Sequence, residues 1–147
     1  EITIPMLLQT LPAYRTTPSG EERARYPVRT GDHNLLKSRY EEIFNAAWSR
    51  RPALLEKLGI EGYRFVNYEG LSEIPGPGGR SGSGRGGFKV ELLDRDNRAA
   101  AFLWMRGSGT EALFRIMVDL PTAKERDERE LMDWHRGLLE RADRDQI

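Results

Sequence analysis

Apolar side chains change their spacing twice along this chain, and that alternation restricts the fold more than any other feature. Leu35, Leu36, Tyr40, Ile43, Phe44, Ala47 and Trp48 recur at intervals of three and four, as one face of a helix requires. Asp32 or Asn34 is placed to cap it. Pro52 ends that helix or starts a short second one, with Gly59 as the stop. From Tyr63 the period shortens. Residues 63–68 predict a strand ending at Gly70, residues 88–93 and 99–105 predict two strands joined by the turn Asp94-Arg95-Asp96-Asn97-Arg98, and residues 113–120 predict a fourth. In that last run Phe114, Ile116 and Val118 share one face, while Leu113, Arg115, Met117 and Asp119 share the other. After Pro121 the helical spacing returns with Leu131, Trp134, Leu138 and Leu139, starting near Asp127. Helix, four strands, helix predicts an α+β fold: a four-stranded antiparallel sheet with helices packed on one face, in two layers.

The chain has 147 residues, room for one core and a tail. Lys plus Arg and Asp plus Glu number 23 each, so no overall field draws it to nucleic acid or an acidic membrane, and any anion site must be local. The absence of cysteine excludes disulfides, thiolate metal sites and cysteine nucleophiles, and fits a cytoplasmic setting. No apolar run reaches the ~20 residues that span a bilayer, and the first residues lack the features of a signal peptide. The chain opens at Glu1 rather than Met, as a piece of a longer protein would. Residues 4–11 form an apolar stretch that meets Pro12 and Pro18, so residues 1–19 are expected to be the remnant of a preceding domain with its linker, and residues 20–147 the domain itself.

The segment with the most chemistry is Met105-Arg106-Gly107-Ser108-Gly109-Thr110-Glu111-Ala112-Leu113-Phe114-Arg115, between two expected strands. Gly107 and Gly109 allow a sharp turn whose amides point at a ligand. Ser108 and Thr110 add hydroxyl donors, and Arg106 and Arg115 offer forked, permanently charged donors. Together they suit a phosphate monoester. The composition alone equally fits a surface hairpin with two solvated arginines.

Arg106-Gly107-Ser108-Gly109-Thr110-Glu111 followed by Arg115 resembles the phosphate-binding loop of the α-D-phosphohexomutases, the phosphoglucomutase and phosphomannomutase family, written R-P-S-G-T-E-P-x-x-R. Leu11-Pro12-Ala13-Tyr14-Arg15-Thr16-Thr17 is similar to the family's connection from third to fourth domain, and the later strands and helix follow its fourth-domain layout. The likeness covers most of the chain, although outside the loop it is one of layout more than of identities. Gly107 and Ala112 replace the common prolines, which leaves every donor in place but predicts a less rigid turn. The resemblance implies the fourth, TATA-box-binding-protein-like domain of a cytoplasmic isomerase that interconverts hexose 1- and 6-phosphates. In it Arg106, Gly107, Ser108, Gly109, Thr110 and Arg115 would bind the non-reacting phosphate of a phosphosugar. Its phosphoserine, its Mg²⁺-holding D-x-D-x-D-R loop and its sugar-reading loop lie in other domains and are not matched here. The fragment is therefore expected to hold no metal and to catalyse nothing alone, with a phosphosugar, either a hexose phosphate or a bisphosphate, and the parent enzyme's other domains as partners.

Other features have plainer readings. Asp94 and Asp96 lack a third carboxylate and suit a hairpin turn better than a metal site. The run 75–87, rich in Gly, Ser and Arg, fits a connector or a loop near the ligand better than an RNA-binding tract, which repeats and carries net positive charge. His33 and His135 are expected on helix surfaces, and Trp48, Trp104 and Trp134 as core or interface anchors. The alternative function is a stand-alone module binding phosphorylated ligands. A structural or nucleic-acid-binding protein is the third possibility, and zero net charge weighs against it.

Overall fold

The computed structural model describes residues 13–76, 80, 84, 86–108 and 111–144. In chain order the elements are β1 (Arg15–Thr16), β2 (Arg25–Pro27), α1 (His33–Ala47), α2 (Ala53–Lys57), β3 (Ile60–Glu69), β4 (Ser72–Pro75), β5 (Gly87–Asp94), β6 (Ala99–Gly107), β7 (Leu113–Leu120) and α3 (Glu125–Arg144). Single 3-10 turns at Glu22–Ala24 and Trp48–Arg50 join them. The fold is α+β, with helices on one side of an antiparallel sheet.

The sheet has seven strands rather than the expected four, in the order β1-β7-β6-β5-β3-β4, with β2 also on β7. The four strands read from alternation form its central meander. The three additions are short edge pieces. β1 and β2 hold two and three residues, too few to show a period, and both lie along β7. β4 folds back on β3 through Gly70 and Leu71. Glu69 pairs with Ser72, and Gly70 has φ +60° while Leu71 is fully exposed, so this is a two-residue hairpin that needs glycine first. Of the stretch assigned to a remnant and linker, residues 1–12 lie outside the described residues, and Thr17 exchanges hydrogen bonds of 3.0 Å with Val118.

Alternation puts Phe65, Phe88, Val90, Leu92, Leu103, Met105, Phe114, Ile116 and Val118 on the face that α1 and α3 cover. Asp32 caps α1, its carboxylate accepting from the Leu35 amide at 3.1 Å. That helix buries Leu36, Tyr40 and Phe44. α3 carries Glu125, Asp127 and Glu128 in its first turn and Arg141 and Arg144 in its last, which complements its dipole. No helix among the described residues is long and apolar enough to cross a membrane.

His135 contradicts the expectation of a surface role: it is fully buried, because it falls in the stripe Leu131, His135, Leu138, Leu139, Ala142. Its Nε2 is 2.8 Å from the Trp104 carbonyl, which only accepts, so Nε2 carries the proton and Nδ1 accepts from the Tyr40 hydroxyl at 2.7 Å. The ring thereby ties both long helices to β6. Burial lowers its pKa from the ordinary 6.5 to about 4, against the pull of the Trp104 carbonyl. Between those values the unfolded chain binds a proton that the folded chain refuses, so stability is full above 6.5 and declines as pH falls to about 4, by roughly 3 kcal/mol. Urea midpoints at pH 7, 5.5 and 4.5 should show this decline in the wild type and a smaller one in His135→Gln. Parallel declines would mean that other groups govern the acid limb.

Candidate anion-binding site

The turn between β6 and β7 closes on Gly107 opposite Phe114, with the Ser108 amide donating to the Leu113 carbonyl at 2.8 Å. One rung earlier Arg106 lies directly opposite Arg115, so both side chains leave the same face of the sheet. Their neighbours Met105, Phe114 and Ile116 point into the core, and alternation alone therefore presents the two arginines to solvent. Ser108 is half-buried and Glu111 exposed. Gly109 and Thr110, also expected in the site, lie outside the described residues.

The amino end of α1 abuts this turn. A Cβ at Gly107 would stand 2.7 Å from His33 Nδ1 and 3.3 Å from the Phe114 ring. The space that a proline would fill at this position is thus occupied by His33, whose ring meets Phe114 edge-on at 4.8 Å between centroids. That contact buries His33, where the sequence suggested a surface histidine. It also brings the first turn of α1, the positive end of its dipole, against the backbone of the glycine turn.

One turn further on, Lys37 is buried, and its ammonium donates to the carbonyls of Gly84 and, at 2.6 Å, Gly86. The glycine-rich connector is therefore fastened to α1 beside the site. Gly84 has φ +67°, and a Cβ there would come within 2.8 Å of the Asn34 amide, so no other residue fits. Arg80 is a second fastening. It donates to Ser38 at 2.7 Å and Asn67 at 3.1 Å, and pairs with Glu41 at 2.7 Å, both charged side chains being over 90% buried.

Burial, followed by the positive charges of Arg80 and Arg106, lowers the Lys37 pKa to about 8, although Glu41 pulls the other way. Arg106 is thus felt at Lys37, and the local field at this end of α1 is positive in a chain of zero net charge. An anion seated at Arg106 would relieve that repulsion. The arrangement offers two opposed guanidinium forks with a helix amino end close by, both of which suit a phosphate oxygen. Among the described residues no group of three or more His, Asp or Glu is gathered to hold a metal ion.

Of the residues the sequence singled out, the turn brings Arg106, Ser108 and Arg115 together, and the packing of α1 and the connector behind them was not foreseen. A signal existed: Lys37 and Glu41 sit four apart within the stripe Leu36, Tyr40, Phe44, where charged residues are out of place unless partnered. Arg80 could not be read, because nothing in a Gly-Ser-Arg run says which arginine turns inward. No protein-family model matches the chain, and no curated protein is significantly similar to it.

Proposed function

We propose that this chain is the phosphate-binding domain of a phosphosugar mutase, one that interconverts hexose 1- and 6-phosphates, and that it grips the ligand's non-reacting phosphate. The observation that carries this is the pair Arg106 and Arg115, opposed across the last rungs of β6 and β7 at the mouth of the glycine turn. Around them α1 and the fastened connector supply a rigid backing, so a phosphate meets donors already in position, and positioning is a large part of phosphoryl transfer. Arg106 and Arg115 would bind two phosphate oxygens, with Ser108, Gly109 and Thr110 completing the cradle and Gly107 letting the turn approach. The transferring phosphoserine, the Mg²⁺ and the sugar-reading loop belong to other domains of such an enzyme. No residue of this chain is assigned to the metal.

Charge-assisted hydrogen bonds contribute roughly 1.5–3 kcal/mol each, offset by the ligand's lost freedom. Orthophosphate and glucose 6-phosphate should therefore bind with dissociation constants of about 1 mM, near −4 kcal/mol. In an NMR titration the shifted amides should cluster at residues 107–110, and Arg106→Ala should weaken binding about tenfold or more. If ~50 mM phosphate, far above that constant, moves none of these amides, the proposal falls.

A further inference from the structure

Gly137 stands in the middle of α3, where nothing in this chain calls for a glycine. The backbone there is ordinary helix, and a Cβ would meet no atom within 4 Å. Glycine inside a helix costs stability relative to alanine, and what it offers in return is close approach of another backbone. The charges on this face are spaced evenly about it. Asp133 lies four residues before Gly137 and Arg141 four after, while Glu130 lies seven before and Arg144 seven after. At about 100° per residue all four fall within about 40° of Gly137 around the helix. They lie on the side away from the stripe Leu131, His135, Leu138, Leu139 and Ala142 that enters the core.

All four side chains are exposed, and none takes part in an ion pair among the described residues, although Glu125 with Arg129 and Arg136 with Glu140 pair along the same helix. The helix dipole favours acids early and bases late, but it does not account for their even spacing about a glycine. Two such stripes laid parallel would set Asp133 against Asp133 and Arg141 against Arg141. Laid antiparallel about a two-fold axis at Gly137, each stripe meets its complement: Asp133 faces Arg141 and Glu130 faces Arg144, each twice over. Beside the stripe Ala46, Ala47, Arg50 and Trp134 wall a groove of about 640 Å³ between α1 and α3, in which a second helix can lie.

We propose that this face joins two copies of the chain, α3 against α3 in antiparallel array and crossing at Gly137. The missing side chain lets the two helices approach at the axis, and four ion pairs between the copies flank the crossing. Exposed ion pairs contribute little singly and are screened by salt. The association is therefore weak, with a dissociation constant on the order of 10–100 μM. It is independent of the phosphate-binding reading, since the outer face of α3 takes no part in the Arg106 turn.

The test is sedimentation equilibrium of the wild type, Asp133→Arg, Arg141→Asp and Gly137→Leu, from about 5 to 500 μM protein and at low and high salt. The wild type should pass from monomer to dimer over that range and associate several-fold more weakly at high salt. Each charge reversal alone puts like charges opposite and should weaken association about tenfold or more. An equimolar mixture of Asp133→Arg with Arg141→Asp should associate at least as tightly as the wild type, because every facing pair is then opposite in sign. Gly137→Leu should stay monomeric yet melt no lower than the wild type at a concentration where both are monomers, since its side chain meets nothing within the chain. A wild type that is monomeric throughout overturns the proposal. So does a dimer that tolerates the single reversals, or a mixture that associates no better than its components, since either places the contact elsewhere.

Discussion

Asp143→Ala is expected to lower the free energy of unfolding by about 4 kcal/mol, because one buried carboxylate organises the whole approach to α1. Asp143 accepts the Tyr26 hydroxyl at 2.9 Å, the Arg29 amide at 3.0 Å, the Thr30 amide at 2.8 Å and the Thr30 hydroxyl at 2.7 Å. Burial alone would push its carboxyl up. The Thr30 hydroxyl, the Arg29 and Thr30 amides and the Tyr26 hydroxyl outweigh that and hold it below the ordinary carboxylate value. Alanine leaves these donors facing a void, and each unsatisfied buried donor costs about 1–3 kcal/mol. Asp143→Asn keeps an acceptor without the charge and should lose about half as much. Because the folded value is the lower one, this stabilisation is present above the unfolded carboxylate pKa and disappears as pH falls below about 4. Urea unfolding at pH 7 with an unchanged slope measures it. A loss below about 1 kcal/mol would show that the 26–30 segment is held by something else.

The second large effect is expected at Phe44, where truncation to alanine should cost about 3–5 kcal/mol. Phe44 has no exposed surface and sits at the centre of an aromatic group. Its ring centroid lies 4.7 Å from Tyr63, 5.3 Å from Trp134, 5.7 Å from Phe65, 5.8 Å from Trp48 and 6.1 Å from Tyr40. Those partners come from α1, α3, β3 and the turn after α1, so no single element can move in to fill the gap. Aromatic pairs add about 0.5–1.5 kcal/mol beyond burial, which places this site at the upper part of the range. Phe44→Leu, which keeps most of the volume, should lose less than half of that. Thermal or urea unfolding of both variants gives the comparison, and near-equal losses would mean that ring geometry, not bulk, governs this core.

How far the sequence could be read follows from how much of each element lies within one period. β7 was legible residue by residue, because Phe114, Ile116 and Val118 alternate without interruption over all eight positions. α1 was legible for the same reason, its cap included. β1 and β2 were not, because strands of two and three residues carry no period and take their identity from the edge of β7, about ninety positions later for β2 and more than a hundred for β1. The place of Arg25 opposite Arg115 was invisible on that account. His135 was misjudged because a helix dense in charge hid a polar side chain within its apolar stripe, and only the partners Tyr40 and Trp104 make that burial tolerable. The Arg106 and Arg115 pair was legible because the turn itself brings them together.

The edge position of β2 also sets the order in which this chain can assemble. β5, β6 and β7 close through short turns, whereas Arg25 must find Arg115 across about ninety intervening residues. Loop-closure entropy makes that encounter roughly 2 kcal/mol dearer than a hairpin, so it comes after the meander has formed. What docks last is nonetheless firmly held, the Tyr26 hydroxyl donating to Asp143 and Arg136 donating to the Arg23 and Arg25 carbonyls. Those bonds come from α3, so the edge strand is sealed onto β7 only when that helix has packed, and strand and helix close the fold in one step.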